Sequence, residues 1–337
     1  MGVFIIAEAG VNHNGDIETA KEMIYRAKEA GCDCVKFQTF FADDLVTKEA
    51  PQAQYQALNL GKRESQYDML KCLELGEEAF RVLKDLCKNN GIEFMSTPFD
   101  PKSVDILERI GVERYKMSSG DITNKPLLEY VAAKNKPIII STGMSTLQEV
   151  KDAVKWIEEV GNTDISILHC TSNYPAPYSE VNMNAMKTMM KSFSYPIGYS
   201  DHTKGYEIPI MAVAMGACII EKHFTLDKSM PGPDHKASLD YSELKEMVSK
   251  IRHIEDAFGD GEKRPEKSEM STREVARKSI VTACSMKAGE IIREENLAVK
   301  RPGNGLAPSE MQKVIGKRLA RDIERDEMVK WTDIIGT

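Results

Sequence analysis

The chain has 337 residues, of which 42% are hydrophobic and 29% are charged, a balance typical of a globular protein. Its formal net charge is −7, so the composition lacks the basic excess expected of a nucleic-acid-binding or membrane-binding surface. The length suffices for one large domain and a small one, and no apolar run approaches the roughly 20 residues of a membrane span.

The first apolar segment of the chain predicts a strand. In MGVFIIAEAGVNHNGD the apolar run ends at Glu8, and the segment lacks the basic start and the small-residue cleavage site of a signal peptide. The 7 cysteines are odd in number and scattered along the chain, which favours reduced thiols. We therefore expect a cytoplasmic protein without a secretory leader.

Short runs rich in β-branched residues recur along the first three quarters of the chain and are predicted to be strands. Amphipathic segments of helical period, such as ETAKEMIYRAKEAG, lie between them and end at glycine. Asp100 is predicted to cap one helix, and Ser145 with Gln148 is predicted to form a capping box at another. The predicted strands are residues 3–9, 34–39, 92–97, 114–119, 137–142, 165–170, 195–200 and 218–223.

Strand and helix alternate eight times within about 250 residues, which is the signature of a (β/α)8 barrel in the α/β class. An open doubly wound sheet is the alternative. That fold is disfavoured because no glycine-rich GxGxxG fingerprint follows the first strand. The barrel is therefore the predicted fold of residues 1–260.

Polar residues stand at the carboxyl ends of all eight predicted strands, where enzymes of this fold carry their chemistry. Lys36 and Lys116 interrupt otherwise apolar strands, and burying such charges is unfavourable unless an anion compensates them. The sequence therefore predicts an anion-binding pocket at this end. The strand-end residues are Glu8, Lys36, Gln38, Ser96, Thr97, Lys116, Ser118, Ser119, Ser141, Thr142, His169, Thr171, Ser172, Ser200, Asp201, His202, Glu221, Lys222 and His223.

The pattern changes beyond Asp260. Residues 261–278 are polar, charged and poor in β-branched residues, which predicts a linker. Residues 279–337 contain short strands and turns, including KRPGNG at 300–305. This tail is near the lower size limit for independent folding, so we expect it to dock on another surface.

Short motifs spread over nearly the whole chain carry a resemblance to a known family. In these motifs and their order the chain resembles the sialic acid synthases (N-acetylneuraminate synthases) and the related legionaminic acid synthases. Members of this family condense phosphoenolpyruvate with an N-acetylated mannosamine-type hexosamine. The motifs are AEAGVNHNG, VKFQTF, STPFD, YKMSSGD, STGM, HCTSNYPAP, GYSDHT, EKHFT, GPDHKAS and KRPGNG.

The resemblance implies an architecture and a set of roles. The barrel would be followed by an antifreeze-like (SAF) domain, in a domain-swapped homodimer where Arg301 contacts the sugar's N-acetyl group in the partner's site. His202 and His223 would hold a divalent metal, usually manganese, with magnesium or cobalt as alternatives. The positions that match phosphoenolpyruvate-binding residues are Lys36, Thr97, Lys116, Ser119 and Ser200. The positions that match sugar-binding residues are Tyr174 and Asp234, and those with catalytic roles are Glu8, Asp121 and Ser172.

In the implied chemistry, C3 of the enol attacks the open-chain aldehyde, water adds at C2, and phosphate leaves. The metal would polarise the aldehyde oxygen, while Glu8 and Asp121 position water and move protons. Two positions depart from some members of the family: Asp121 stands where they have Glu, and Ser172 where they have Asn.

The sequence leaves several alternatives open. N-acetylmannosamine, which gives sialic acid, is slightly preferred over a 2,4-diacetamido-6-deoxy sugar, which gives legionaminic acid, and the pseudaminic branch ranks third. A different class is a non-catalytic protein that binds a sialic-type sugar. His13 is compatible with a place in a turn or with support of the site, and His169 with a role that only orients its neighbours. His235 is compatible with a contact to the sugar or with a solvated position.

Overall fold

The computed structural model describes residues 2–53, 56–57, 59 and 65–336. The chain forms two compact units, Met1–Gly259 and Asp260–Thr337. Within the described ranges, no helix is long and apolar enough to cross a membrane.

The first unit is built on the eight predicted strands, all of which are present. They are β1 (Phe4–Gly10), β2 (Cys34–Thr39), β3 (Glu93–Pro98), β4 (Tyr115–Met117), β5 (Ile138–Ser141), β6 (Ile165–Cys170), β7 (Ile197–Asp201) and β8 (Ile219–His223). Parallel ladders join them in the order β3-β2-β1-β8-β7-β6-β5-β4. Strand β3 also lies beside β4, so the sheet curls round into the predicted (β/α)8 barrel.

All the helices but the last lie between successive strands. Most pack on the outer face of the sheet through a continuous apolar core, and the two short helices after β2 pack in a separate apolar cluster. The helices are α1 (Ile17–Glu29), α2 (Ala42–Leu45), α3 (Gln66–Lys71), α4 (Glu77–Asn90), α5 (Pro101–Ile110), α6 (Lys125–Ala132), α7 (Leu147–Glu159), α8 (Asn184–Ser192), α9 (Glu207–Ala214) and α10 (Tyr241–Phe258).

Two helix starts test the predicted caps. Asp100 caps α5 by accepting a backbone N–H of the first turn, as predicted. The capping box of α7 is formed by Thr146 and Glu149, so the predicted box of Ser145 and Gln148 is wrong by one residue. The hydroxyl of Ser145 instead donates to a carbonyl of the preceding turn.

The interior of the barrel changes from apolar to polar towards the carboxyl ends of the strands. Two residues beyond the apolar layer, the same inward face carries buried Glu8 on β1, Lys36 on β2 and Thr97 on β3. Because side chains alternate along each strand, the fold brings polar residues from several strands to one level. The apolar layer consists of Ile6, Cys34, Met95, Ile139, Leu168 and Ile219.

The second unit has two antiparallel strand pairs and a small core of its own. Strand β9 (Ser279–Thr282) pairs with β10 (Leu297–Lys300), and β11 (Arg318–Leu319) pairs with β12 (Ile334–Ile335). Helix α11 (Met270–Ala276) lies inside the segment predicted as a linker, and α12 (Met311–Val314) precedes β11. The core residues are Ile280, Met286, Ile292, Val314, Leu319, Ile323, Val329 and Ile334.

Candidate active site

A cavity of about 830 Å³ opens at the carboxyl ends of the barrel strands. Its volume falls in the range typical of small-molecule sites. Most of the residues to which the family resemblance assigns a role contribute to its wall. Those that line it are Glu8, Lys36, Thr97, Lys116, Ser119, Ser172, Tyr174, Ser200, His202 and His223.

Lys36 stands at the centre of the polar layer. Its Nζ lies 2.7 Å from Glu8 Oε2 and 3.7 Å from Glu221 Oε2. It also donates to Thr97 Oγ1 at 3.2 Å. Burial favours the neutral amine, but Glu221 and Glu8 outweigh it and hold the pKa of Lys36 above its ordinary value. Lys36 is therefore a fixed positive charge inside the cavity.

Glu221 connects the two buried lysines, and the role assignment from sequence missed it. Its Oε1 accepts a hydrogen bond from Ser200 Oγ at 2.9 Å and lies 3.5 Å from Lys116 Nζ. Burial alone would favour its neutral acid, yet Lys116 and Lys36 hold the pKa of Glu221 below its ordinary value. A signal was available, because Glu221 lies two residues before His223 on the same strand and therefore shares its face.

The nearest partners of Lys116 are neutral, unlike those of Lys36. It donates to Ser141 Oγ at 2.6 Å and to the carbonyl of Met117 at 3.2 Å. Burial lowers the pKa of Lys116, against the opposing effect of Glu221. An anion bound beside this lysine would oppose that lowering and favour its charged form.

Glu8 combines burial with a charged neighbour. Burial raises the pKa of Glu8 to about 7, although Lys36 acts in the opposite direction. Its second oxygen, Oε1, accepts from Gln38 Nε2 at 3.3 Å. A carboxyl group with this pKa can both give and take a proton near neutral pH.

His202 and His223 extend from the tips of neighbouring strands and face each other. Their ring centroids lie 5.3 Å apart, and the ring of Tyr174 lies 4.0 Å from His202 and 5.5 Å from His223. The Nδ1–H of His202 donates to the carbonyl of Thr171 at 2.7 Å, which leaves Nε2 as the nitrogen with a lone pair. That is the arrangement of a metal-binding imidazole with an orienting partner.

The residues present fit a metal held by two protein nitrogens. The Nδ1 atom of His223 is buried and has no hydrogen-bond partner among the described residues. Burial holds the pKa of His223 well below its ordinary value, with His202 and Lys36 adding to the effect, so this imidazole is neutral and able to bind a metal. The described part of the chain contains no cluster of three or more His, Cys, Asp or Glu suited to a metal. Oxygens of water or substrate would supply further ligands.

Three predicted site residues are not among the described residues that line the cavity. The carboxylate of Asp121 accepts from Ser118 Oγ at 2.5 Å and from Asn124 Nδ2 at 3.1 Å, so both of its oxygens are engaged within its own turn. Asp234 is buried, which raises its pKa to about 6. Arg301 belongs to the second unit, where its side chain is exposed on the turn after β10.

The three histidines left open in the sequence have structural partners. The Nδ1 of His13 accepts from the backbone N–H of Gly15 at 3.0 Å, which makes it part of a turn. His169 bonds the carbonyl of Val181 at 2.8 Å and lines a neighbouring cavity. His235 is fully buried between Thr225, 2.7 Å away, and Asn14, 3.2 Å away, which argues against a solvated side chain.

Comparison with known proteins identifies two regions of the chain. Residues 23–263 match the model of the NeuB family, and residues 277–335 match that of the SAF domain. The N,N'-diacetyllegionaminic acid synthase of Legionella pneumophila is 50% identical over 338 residues, with 99% of this chain and 95% of the relative covered. The enzyme of the same name from Campylobacter jejuni is 46% identical, with 97% of this chain and 98% of the relative covered.

A solved structure agrees with the fold. The N-acetylneuraminic acid synthetase of Leptospira borgpetersenii, in complex with citrate, superposes with a TM-score of 0.71 at 36% identity. The match covers 81% of this chain and 90% of that structure.

Proposed function

The chain belongs to the NeuB family and ends in a SAF domain, and we propose that it condenses phosphoenolpyruvate with an open-chain N-acetylated hexosamine. The product is a nine-carbon 2-keto acid, and phosphate is released. The observation that carries this proposal is the convergence of buried Lys36 and Lys116 on one cavity with Glu8 and the His202–His223 pair. Sites with two fixed cations suit a substrate that carries both phosphate and carboxylate.

The charges of the polar layer suit the exchange of one anion for another. Glu8 and Glu221 compensate Lys36 and Lys116 when no substrate is bound. A trianionic substrate that binds here compensates part of the lysine charge. Because the pKa of Glu8 is raised, this carboxyl can then take up a proton near neutral pH with little free-energy cost. The site is thus preorganised by its own carboxylates, which keep the lysines charged and in place.

The reaction can be written in terms of the residues of this chain. C3 of phosphoenolpyruvate bonds to the aldehyde carbon, whose oxygen takes a proton from the protonated Glu8 carboxyl, and water then adds at the cationic C2. Glu8 regains a proton from that water, the remaining hydroxyl proton passes to the leaving phosphate, and the C2–O bond to the phosphate group breaks as the 2-keto group forms. The hydroxyls of Thr97, Ser119 and Ser200 donate to the anionic oxygens.

A divalent metal, proposed to be manganese with magnesium or cobalt as alternatives, would be held by His202 and His223 and would polarise the aldehyde oxygen as a Lewis acid. The orienting bond from His202 to Thr171 and the neutral state of His223 support this assignment. Tyr174, whose ring packs on both histidines, is proposed to contact the sugar.

Two sugars remain candidates for the second substrate. The sequence slightly prefers N-acetylmannosamine, whereas two relatives of 50% and 46% identity are named for legionaminic acid synthesis. This relationship favours the 2,4-diacetamido-6-deoxy sugar, with N-acetylmannosamine as the second candidate.

We also propose a domain-swapped homodimer in which Arg301 of one chain serves the partner's site, and a cytoplasmic location. The resemblance to the family supports the first of these. The second is supported by the cysteines, because Cys32, Cys34, Cys72, Cys87, Cys170, Cys218 and Cys284 are all unpaired thiols.

The test of substrate choice uses the purified full chain with phosphoenolpyruvate, Mn²⁺ and each sugar in turn. The product is identified by mass, and kcat/KM is compared between sugars. We expect the diacetamido sugar to be preferred by about tenfold or more, because a site built for a second acetamido group leaves polar atoms unpaired with the other sugar. Preference for N-acetylmannosamine would reverse the ranking, and failure with both sugars would contradict the proposed activity.

A further inference from the structure

An acid and a base lie directly beside the two histidines of the cavity. Asp201 precedes His202, and Lys222 precedes His223. Neighbouring residues of a strand face opposite sides, and neither Asp201 nor Lys222 is among the described residues that line the cavity. The charged pair therefore lies behind the wall on which the histidines stand.

Asp201 and Lys222 form a completely buried network. Both side chains are 0% exposed, and Lys222 Nζ donates to Asp201 Oδ2. The carboxylate also accepts from Tyr199 OH at 2.7 Å, from the backbone N–H of Thr203 at 3.2 Å and from its hydroxyl at 2.9 Å. Among the described residues, neither member of the pair leaves a buried side-chain atom without a partner.

The ammonium group of Lys222 reaches both chain neighbours of His202. Besides Asp201, it donates to the backbone carbonyl of Thr203. One cation thus contacts the side chain of the residue before His202 and the backbone of the residue after it. Lys222 is also the residue that directly precedes His223 in the chain. On the opposite face, Ser200 and Glu221 pair at the preceding position of the same ladder.

The stability of the fold does not explain this pair. Removing two charges from water is so unfavourable that well-packed apolar side chains of similar volume are often as stabilising or more so. An ion pair with fixed partners instead constrains geometry. Its bond lengths and angles fix the position of the end of β7 relative to the end of β8. We propose that Asp201 and Lys222 are positioning residues that set the spacing and orientation of His202 and His223. This inference rests on the metal-binding role proposed for those histidines.

The experiment replaces the charges without leaving one of them unpaired. The full-length double variant Asp201→Leu with Lys222→Met keeps the buried volume and removes the ion pair. Mn²⁺ binding to the metal-free protein is titrated by electron paramagnetic resonance, and the thermal midpoint is measured in parallel. We expect Mn²⁺ affinity lowered about tenfold or more, the effect typical of removing an orienting partner. The midpoint should fall as well, because Tyr199 and Thr203 lose buried hydrogen-bond partners.

The matched control is a charged pair at the opposite end of the barrel. Arg114 and Glu93 pair at 2.7 Å where β3 and β4 begin. The double variant Glu93→Leu with Arg114→Met should leave Mn²⁺ affinity unchanged. Asp201→Asn, which keeps the shape of the side chain, provides a second test if the apolar double variant does not fold, and it should also weaken Mn²⁺ binding.

The outcomes separate the two proposals. Wild-type affinity in both Asp201 variants would overturn the positioning role while leaving the metal site intact. A wild-type protein that forms product but does not bind Mn²⁺ would overturn the metal site and, with it, the positioning role. If the Glu93/Arg114 control variant lost as much Mn²⁺ affinity as the Asp201/Lys222 variant, general destabilisation would account for the loss. That result would also overturn the inference.

Discussion

At the scale of single residues, the two buried lysines differ in how they are held. Lys36 pairs with Glu8 at 2.7 Å, whereas Lys116 is bonded mainly to the neutral Ser141. Removing Lys36 therefore also leaves a buried carboxyl without its cation, which favours protonation of Glu8. Removing Lys116 takes away an anion contact with less effect on its neighbours.

Lys36→Ala and Lys116→Ala should each raise the KM for phosphoenolpyruvate far more than the KM for the sugar. A charge-assisted contact contributes about 1.5–3 kcal/mol, which corresponds to a loss of roughly 10-fold to 100-fold. Steady-state kinetics with each substrate varied in turn provide the measurement. Lys155→Ala, at an exposed position on α7, is the control. An unchanged KM for phosphoenolpyruvate in both cavity variants would place the anion elsewhere.

A second prediction concerns buried His13. Burial lowers its pKa to about 4, so the folded protein disfavours the protonated imidazole that the unfolded chain adopts below pH 6.5. The depressed pKa means that stability is present above pH 6.5 and is lost as pH falls towards 4. Lowering the pH from 7 to 5 should therefore reduce the free energy of unfolding by about 2 kcal/mol through this residue.

Urea unfolding at the two pH values tests this, with His13→Gln as the variant. The variant should lose less stability than the wild type on acidification. His253→Gln, at an exposed position on α10, is the control and should follow the wild type. If His13→Gln and the wild type lost stability in parallel, His13 would not be the acid-sensitive group.

Individual residues differ in how far their place in the site could be predicted from the sequence. Lys36 and Lys116 are conspicuous because a charge inside an apolar strand needs a reason to be there. Asp121 lies in a turn beyond β4, where strand alternation no longer fixes side-chain direction, and its carboxylate bonds within that turn. The burial of His235 depends on Asn14, which is 221 positions away in the sequence, so no local pattern could predict it.

At the scale of elements, β7 depends on a glycine. A Cβ at Gly198 would lie 2.5 Å from the Ile219 carbonyl oxygen on β8 and 2.5 Å from Leu168 Cδ2 on β6. Gly198→Ala should therefore destabilise the barrel by about 1–3 kcal/mol, as overpacking commonly does. It should also lower activity, because Ser200 lies two residues further along the same strand.

Chemical denaturation and steady-state kinetics measure both effects. Gly76→Ser is the control, because a Cβ there has no atom within 4 Å and serine is a favourable N-cap for α4. Wild-type stability in Gly198→Ala would mean that β7 and β8 can separate at this point.

The elements were predictable because each strand is a short apolar run and each helix has a clear period. Their ends were less predictable. The predicted strand at 114–119 is limited to Tyr115–Met117, since the chain turns at Ser118 to carry Ser119 towards the cavity. The shift of the α7 capping box has a similar origin, because Met144 adopts a left-handed backbone with φ of 63° just before the helix.

At the scale of the whole molecule, the swapped arrangement proposed for Arg301 predicts a result of mixing. Arg301→Ala and Glu8→Ala should each be inactive alone. When their subunits exchange at equal amounts, about half of the dimers are mixed, and each mixed dimer has one site with both parts intact. Activity should therefore rise to about a quarter of the wild-type value. No recovery despite demonstrated exchange would indicate that Arg301 acts within its own chain.

The division into a barrel and a small second unit could be predicted from the change of composition near Asp260. The identity of the tail could not, because its short strands and turns have no period of their own, and that prediction depended on resemblance. The match of residues 277–335 to the SAF domain bears it out.

The most direct test of the proposed activity is phosphate release from phosphoenolpyruvate by the full-length protein with Mn²⁺, measured with and without the N-acetylated sugar. Carbon–carbon bond formation precedes loss of phosphate in the proposed reaction, so release should require sugar and should match product one to one. Release at the same rate without sugar would make the protein a phosphatase. The absence of release with either sugar, despite binding of both substrates, would support the non-catalytic alternative and contradict the proposed function.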